Sequence, residues 1–297
     1  GLDGLSEPAD VLNLENAGTG MRLLAGLAAG LPFTTIMTGD DSLRSRPMDR
    51  IVAPLTKMGA VILGRCNNSR APLTIRGGNL HPITYRTPVA SAQVKSAILL
   101  AGLYADGETT VIEPTLSRDH TERMLRGFGA HVESKGAAVR LLGRPQLDGT
   151  DILIPGDISS AAYFIAAACL VEGSEILIKD VGLNPTRIGL LHALENMDAD
   201  IIISGKREVC GEPIGDVIVK SSSLKGAEIG GDLIPALIDE IPIICVMAVF
   251  AKGVTVIRDA AELRVKESDR LAAMARASVV LPMPGTSSIS RCPRASN

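Results

Sequence analysis

The 297-residue sequence predicts an α/β fold built from repeated units. Three observations lead there. The tripeptide Met58-Gly59-Ala60 returns as Phe128-Gly129-Ala130 and, weakened, as Met197-Asp198-Ala199, a period of about 70 residues. Each copy closes an amphipathic helical stretch and opens a short β-type run: Val61-Ile62-Leu63, His131-Val132-Glu133 and Ile201-Ile202-Ile203. Between the copies lies a second recurring module, a helix rich in small residues, then a turn, then a strand.

In chain order, the module occupies 18–29 before Thr34-Thr35-Ile36-Met37, and 91–104 before Thr109-Thr110-Val111-Ile112. It returns at 159–171 before 174–178, and at 235–251 before Val254-Thr255-Val256-Ile257, where the fourth copy is cut short. Each copy therefore reads helix, strand, loop, helix, strand, strand. So long a period does not suit a solenoid and groups the units into compact domains. Pro and Gly in Ile154-Pro155-Gly156-Asp157 are expected to end a strand just before a new helix. The expected domains are 1–155 and 156–276. From 277 onward the chain is rich in Ser, Pro and Arg without helical or strand period, and is expected to be a disordered tail.

Composition narrows the function. With 30 Lys+Arg against 33 Asp+Glu the net charge is −3, so binding to nucleic acid through a basic surface is not expected. Four Phe, three Tyr and no Trp leave few stacking platforms for bases. They also predict a core of Ala, Leu, Ile and Val, with closely approaching helices and sheets. Five scattered cysteines suggest neither a disulfide frame nor a zinc site and fit a reducing compartment. Four histidines form no metal-binding pair. The longest apolar stretch, 241–251, is too short to span a bilayer. No signal-type segment opens the chain, and a cytoplasmic location is expected.

Several segments have the make-up of binding sites. Asn16-Ala17-Gly18-Thr19-Gly20 opens a helix, and its glycines let backbone N–H groups approach an anion. Taken alone it is a weak signal, because Asn and Thr at a helix start are usually plain caps. Arg44-Ser45-Arg46-Pro47-Met48-Asp49-Arg50 is a basic turn in which Pro47 suits the first turn of a helix. Its arginines are either a phosphate or carboxylate clamp or a solvated loop. Ser91-Ala92-Gln93-Val94-Lys95-Ser96 places a hydroxyl and an amide two positions apart at a helix start, which is a ligand site or an ordinary Ser cap. Leu237-Ile238-Asp239-Glu240-Ile241-Pro242 sets two carboxylates in the most apolar region, where they are either acid/base groups or helix caps. In Glu262-Leu263-Arg264-Val265-Lys266-Glu267-Ser268-Asp269-Arg270-Leu271, a helix would bring Lys266 and Arg270 onto one face. An anion would sit between them, with Glu267 beside it for proton transfer. A salt-bridged solvent face is the alternative.

These segments, with Ser117-Arg118-Asp119-His120-Thr121-Glu122 and Pro155-Gly156-Asp157-Ile158-Ser159-Ser160-Ala161-Ala162, stand in one order from about Gly4 to Ala273. In that order they resemble the 3-phosphoshikimate 1-carboxyvinyltransferase (EPSP synthase) family. The resemblance implies a two-domain enolpyruvyl transferase fold of repeated βαβαββ units, three per domain, like an inverse αβ barrel. It implies transfer of the enolpyruvyl group of phosphoenolpyruvate to the 5-hydroxyl of shikimate 3-phosphate in chorismate and aromatic amino acid biosynthesis. It also implies no metal or organic cofactor, and a monomer.

By the same resemblance, Gly18, Arg46, Gln93, Lys266 and Arg270 bind phosphoenolpyruvate, while Ser91, Gln93, Asp239 and Lys266 hold shikimate 3-phosphate. The catalytic groups are Asp239 at the reacting hydroxyl and Glu267 at the methylene proton, with Lys266 sharing in proton transfer. Where Ala92 stands the family often has a second serine. Gly18 matches a family glycine whose replacement by Ala is associated with glyphosate tolerance, so glyphosate is expected to inhibit a complete enzyme. The family chain begins before Gly1, with a Lys-Ser and an Arg that contact both substrates, and continues past Arg276. The expectation is an enzyme truncated at both ends, active only when complete. Two alternatives are a UDP-N-acetylglucosamine enolpyruvyl transferase, whose loop cysteine would fall at Asp41, and a non-catalytic fragment.

Overall fold

The computed structural model describes residues 4–265 and 269–280. The chain divides into two compact units between Ile152 and Leu153.

The first unit holds two copies of one motif. The first copy comprises β1 (Leu12–Asn13), α1 (Gly18–Ala29), β2 (Thr34–Thr38), α2 (Asp41–Ser45), α3 (Asp49–Lys57), β3 (Val61–Gly64), a tight turn α4 (Arg65–Asn68) and β4 (Arg70–Arg76). The second comprises β5 (Thr84–Arg86), α5 (Ala92–Gly102), β6 (Glu108–Ile112), α6 (His120–Gly127), β7 (Val132–Lys135) and β8 (Ala138–Leu142). Their sheets run β1-β2-β4-β3 and β5-β6-β8-β7, the same order twice. In each, the leading strand pairs parallel with the strand after the helix, and the other pairs are antiparallel.

The second unit repeats the pattern with α7 (Ile158–Leu170), β9 (Glu175–Gly182), α8 (Gly189–Asn196), β10 (Ile201–Val209) and β11 (Glu212–Lys220), in a sheet ordered β10-β11-β9. A further copy begins with β12 (Glu228–Ile229), α9 (Ile234–Leu237), α10 (Ile241–Phe250) and β13 (Val256–Ile257), β12 and β13 being parallel. It continues through a 3-10 turn, Ala261–Val265, into α11 (Arg270–Val280). The α/β class and the βαβαββ unit are thus present.

Several expected elements differ in detail. Pro155-Gly156 does not end a strand. Gly156 makes a single parallel bridge to Val181, donating to the Asp180 carbonyl at 2.7 Å and accepting from Gly182 N–H at 2.8 Å. It stands where β1 and β5 stand in the earlier copies. Pro47 precedes α3 rather than lying in its first turn, because Met48 is the capping residue. The helix expected over 235–251 is broken: helical segments Gly231–Leu237 and Ile241–Phe250 meet at 110°. Pro242 lies in the first turn of α10, where a missing N–H costs nothing, but with no N–H it cannot donate back to the Ile238 carbonyl and carry one helix through the break. The break falls at Asp239-Glu240 and puts both carboxylates in the turn.

The cluster at 262–271 is likewise not one helix. Asp269 starts α11 afresh by accepting from Ala272 N–H at 3.0 Å. α11 runs on to Val280, so the expected loss of helical order from 277 is corrected for those four residues. The rest of the expected tail, 281–297, lies outside the described residues. No single helix among the described residues is long and apolar enough to cross a membrane.

The core is aliphatic, as the composition requires, but methionine contributes more than expected. Met21, Met37, Met48 and Met58 in the first unit and Met197 and Met247 in the second are fully buried, and among the described residues no aromatic side chain is buried. Small residues then allow backbones to touch. A Cβ at Gly26 of α1 would overlap the Ala97 carbonyl oxygen of α5 and lie 2.7 Å from Ala97 Cα. Gly→Ala inside a helix normally stabilises by about 1 kcal/mol. Here Gly26→Ala is expected to cost ~1–3 kcal/mol by overpacking, read as a lowered unfolding midpoint. Gly20→Ala, whose new Cβ meets only Ala17 Cβ at 3.4 Å, is the control expected not to lower it.

Burial pushes the thiols of Cys169 and Cys245 up to about 11, whereas Cys66 is exposed. The thiolate is the reactive form. Iodoacetamide at pH 8 should label Cys66 in the folded chain and reach Cys169 and Cys245 only after unfolding, as read by peptide mapping.

Candidate active site

In the first unit the candidate residues gather where α1 and α5 start side by side. α1 has neither a side-chain cap nor an acidic residue in its first turn, so its N-terminus keeps its attraction for an anion. Asn16 bridges two charged groups: its amide donates to Asp40 Oδ2 at 2.6 Å, and its oxygen accepts from Arg46. Asp40 caps α2 by accepting from Leu43 N–H at 2.7 Å. That bond, then the Asn16 amide, holds its carboxyl below the usual range.

The other partner of Arg46 is Ser42 Oγ at 3.3 Å. Both partners are neutral, and among the described residues Arg46 Nε has no hydrogen-bond partner. A Cβ at Gly18 would lie 2.8 Å from Arg46 Nη1, so the bare glycine is what lets the guanidinium lie against the helix start.

Gln93 closes the other side. Its Nε2 donates to Thr19 Oγ1 at 2.6 Å, and its Oε1 accepts from Arg22. Arg22 is 7% exposed and also donates to the Pro47 carbonyl at 3.2 Å. Ser91 caps α5, accepting from Val94 N–H at 3.5 Å, while its own N–H donates to Glu113 Oε1 at 2.8 Å. The structure therefore brings Gly18, Arg46, Ser91 and Gln93 to one end of a helix pair. Ala92 is simply the first residue of α5.

In the second unit the centre is Arg187, 7% exposed. It donates to Ser159 Oγ and to Glu240 Oε1, the latter at 3.3 Å, and lies 3.7 Å from Asp157 and 4.0 Å from Asp239. Ser159 Oγ donates in turn to Glu240. Asp157 caps α7 through the N–H groups of Ser159 and Ser160, at 3.2 and 3.0 Å. Asp239 receives Arg270 Nη1 at 3.3 Å. The two neighbouring carboxylates thus divide: Glu240, 2% exposed, is built into the Arg187 network, and Asp239 lines a small cleft with Ser159, Ser160, Tyr163 and Ile243. Asp239 and Arg270 lie together. Lys266 and Glu267 lie outside the described residues. Among the described residues no three His, Cys, Asp or Glu side chains form a metal-binding group.

Sequence reasoning missed two arginines. Arg22 stands four residues after Gly18, on the same helix face, and that spacing was a usable signal. Arg187 follows Asn184-Pro185-Thr186 in a turn where Asn184 Oδ1 accepts from Thr186 N–H at 2.9 Å. Nothing in that segment marks a site.

The sequence model of EPSP synthase (3-phosphoshikimate 1-carboxyvinyltransferase) matches residues 2–277. The chain belongs to the EPSP synthase family. The 3-phosphoshikimate 1-carboxyvinyltransferases of Geotalea uraniireducens (strain Rf4) and Geotalea daltonii (strain DSM 22248 / JCM 15807 / FRC-32) are 60% and 58% identical over 275 residues. Those matches cover 93% of this chain and 64% of each relative, so the chain spans less than two thirds of their length. The EPSP synthase of Acinetobacter baumannii superposes with a TM-score of 0.84 at 49% identity, covering 93% of this chain and 62% of that one. The enolpyruvyl transferase NikO from Streptomyces tendae shares the fold at 14% identity, with a TM-score of 0.61 over 85% of this chain and 75% of its own.

In this member of the EPSP synthase family, breaking the buried Arg187 network should be costly. Arg187→Met leaves Glu240 charged and unpaired, at about 3–5 kcal/mol. Adding Glu240→Gln to that variant should recover part of the loss in chemical denaturation.

Proposed function

We propose that this chain carries substrate-binding and catalytic groups of an enolpyruvyl transferase that joins phosphoenolpyruvate to shikimate 3-phosphate and releases phosphate. The observation that carries the reading is Arg46, a guanidinium with neutral partners laid against an uncapped helix start at Gly18 and next to Gln93. Such a place suits a small anion. The family membership and the names of the 58–60% identical relatives support the same substrates over the UDP-N-acetylglucosamine alternative.

In this reading Gly18, Arg46, Gln93, Lys266 and Arg270 hold phosphoenolpyruvate, and Ser91, Gln93, Asp239 and Lys266 hold shikimate 3-phosphate. Asp239 takes the proton from the 5-hydroxyl as its oxygen adds to C2 of phosphoenolpyruvate. Glu267 gives a proton to C3, and the adduct is a tetrahedral phosphate ketal. Loss of phosphate with return of the C3 proton regenerates the double bond. Arg270, 3.3 Å from Asp239, holds that carboxylate in place and belongs to the cationic wall around the anionic groups of phosphoenolpyruvate. Glyphosate as inhibitor, a monomeric state and a cytoplasmic location belong to the same proposal. The free thiols of Cys66, Cys169, Cys210 and Cys245 fit such a compartment.

The test is phosphate release with both substrates, on the 297-residue chain and on the chain extended with the flanking sequence of its Geotalea uraniireducens relative. The extended protein should turn over and be inhibited by millimolar glyphosate. In it, Asp239→Asn and Glu267→Gln should each lose about 100-fold or more in kcat. Turnover with UDP-N-acetylglucosamine instead would overturn the substrate reading. Unchanged rates in both variants would overturn the acid/base roles.

A further inference from the structure

The mechanism leaves unused the most buried charges of the first unit. Lys95 in α5 is 0% exposed, yet its ammonium is not alone. Nζ lies 3.0 Å from Glu113 Oε2 and 2.8 Å from Glu122 Oε1, both on carboxylates with at most 1% side-chain exposure. It also donates to the Ser117 carbonyl at 3.4 Å. Glu113 follows β6, Ser117 sits in the loop beyond it, and Glu122 is in the first turn of α6.

The bonds of Glu113 point one way. Its Oε1 accepts from Ser91 N–H at 2.8 Å, and its Oε2 accepts from Ser117 Oγ at 2.8 Å and from Ser117 N–H at 3.4 Å. Counting Lys95, four donors converge on one carboxylate. Stability alone does not call for this arrangement, since buried ionic groups are often replaced by apolar residues of similar volume without loss. An apolar replacement cannot hold the Ser91 and Ser117 backbones. The extended cap conformation of Ser91, φ −152° and ψ 104°, is pinned by that carboxylate, and with it the direction of Oγ. Lys95 meanwhile neutralises a negative charge that would otherwise stand behind a phosphate-binding cap.

From this geometry we infer that Lys95, Glu113 and Glu122 are positioning residues, which fix Ser91 and the Ser117 loop for the phosphate of the second substrate. The inference rests on the proposed role of Ser91 in holding shikimate 3-phosphate. Glu113→Gln is the direct test, because an amide offers one acceptor oxygen where four donors arrive, at nearly unchanged volume.

Two readouts are needed. Amide exchange by NMR on the 297-residue chain reports the backbone, and titration calorimetry on the extended protein described above reports shikimate 3-phosphate binding. In Glu113→Gln, exchange at the Ser91 and Ser117 amides should rise about 10-fold, with Ala25 and Ala28 in α1 unchanged, and shikimate 3-phosphate should bind about 10-fold more weakly. Phosphoenolpyruvate binding at saturating shikimate 3-phosphate should stay as in the parent chain. Ser117→Ala removes a single donor and should shift both readouts the same way by a smaller factor. It decides the matter if Glu113→Gln does not fold.

A folded variant whose Ser91 amide exchanges as before overturns the inference, and so does equal weakening of both substrates. If Ser91 exchange responds while the extended parent protein ignores shikimate 3-phosphate, the positioning stands and the substrate assignment falls.

Discussion

The first unit depends on one close approach, the α1 backbone at Gly26 against the Ala97 carbonyl of α5. Two helices packed without intervening side chains cannot slide or rotate independently. Their starts are therefore fixed side by side, and the hydrogen bonds from Gln93 to Thr19 and from Arg22 to Gln93 span that junction. Remove the approach and Gly18, with Arg46 beside it, is no longer held next to Ser91 and Gln93. The aliphatic and methionine core serves the same end, since it fills the space around a helix pair that flat rings would hold apart.

The two units use arginine in opposite ways. Arg46 hydrogen-bonds a side-chain amide and a hydroxyl, and the Asp40 carboxylate reaches it only through Asn16, so its guanidinium stays directed at the helix start. Arg187 is ringed by Asp157, Asp239 and Glu240 and spends its charge holding Glu240 and Ser159 in place. The difference is not one of residue type or burial alone; it lies in whether a carboxylate bonds the guanidinium directly, as Glu240 does to Arg187, or through a neutral amide, as Asp40 does to Arg46. A net charge near zero for the whole chain conceals both arrangements.

How much of this was legible in the sequence follows from how local each signal is. The repeat was legible because Met58-Gly59-Ala60 and its echoes mark the end of a helix and the start of a strand within a few residues. The leading strands β1, β5 and β12 were not, because pairs or triplets such as Leu12–Asn13 and Thr84–Arg86 are too short to show alternation and exist through pairing with a distant strand. The break at Asp239-Glu240 carried its signal in Pro242, which the apolar run around it masked. Arg46, Gln93 and Asp239 stood in recognisable segments. Arg187 and Glu113 are functional candidates only by virtue of what folding brings to them across 53 and 22 residues. No local pattern encodes that.

The recurring sheet order β1-β2-β4-β3 and β5-β6-β8-β7 also bears on how the chain acquires its shape. Each sheet is closed by residues from one contiguous stretch of about 70, so its strand partners are all neighbours in sequence. Loop-closure entropy stays small within a repeat. As synthesis proceeds from the N-terminus, one sheet can complete its pairing before the next has left the ribosome, in the piecewise manner of large proteins. The repeat then acts as a kinetic partition: it limits the number of wrong strands available at any moment, in a chain whose strands are otherwise similar enough to be exchanged.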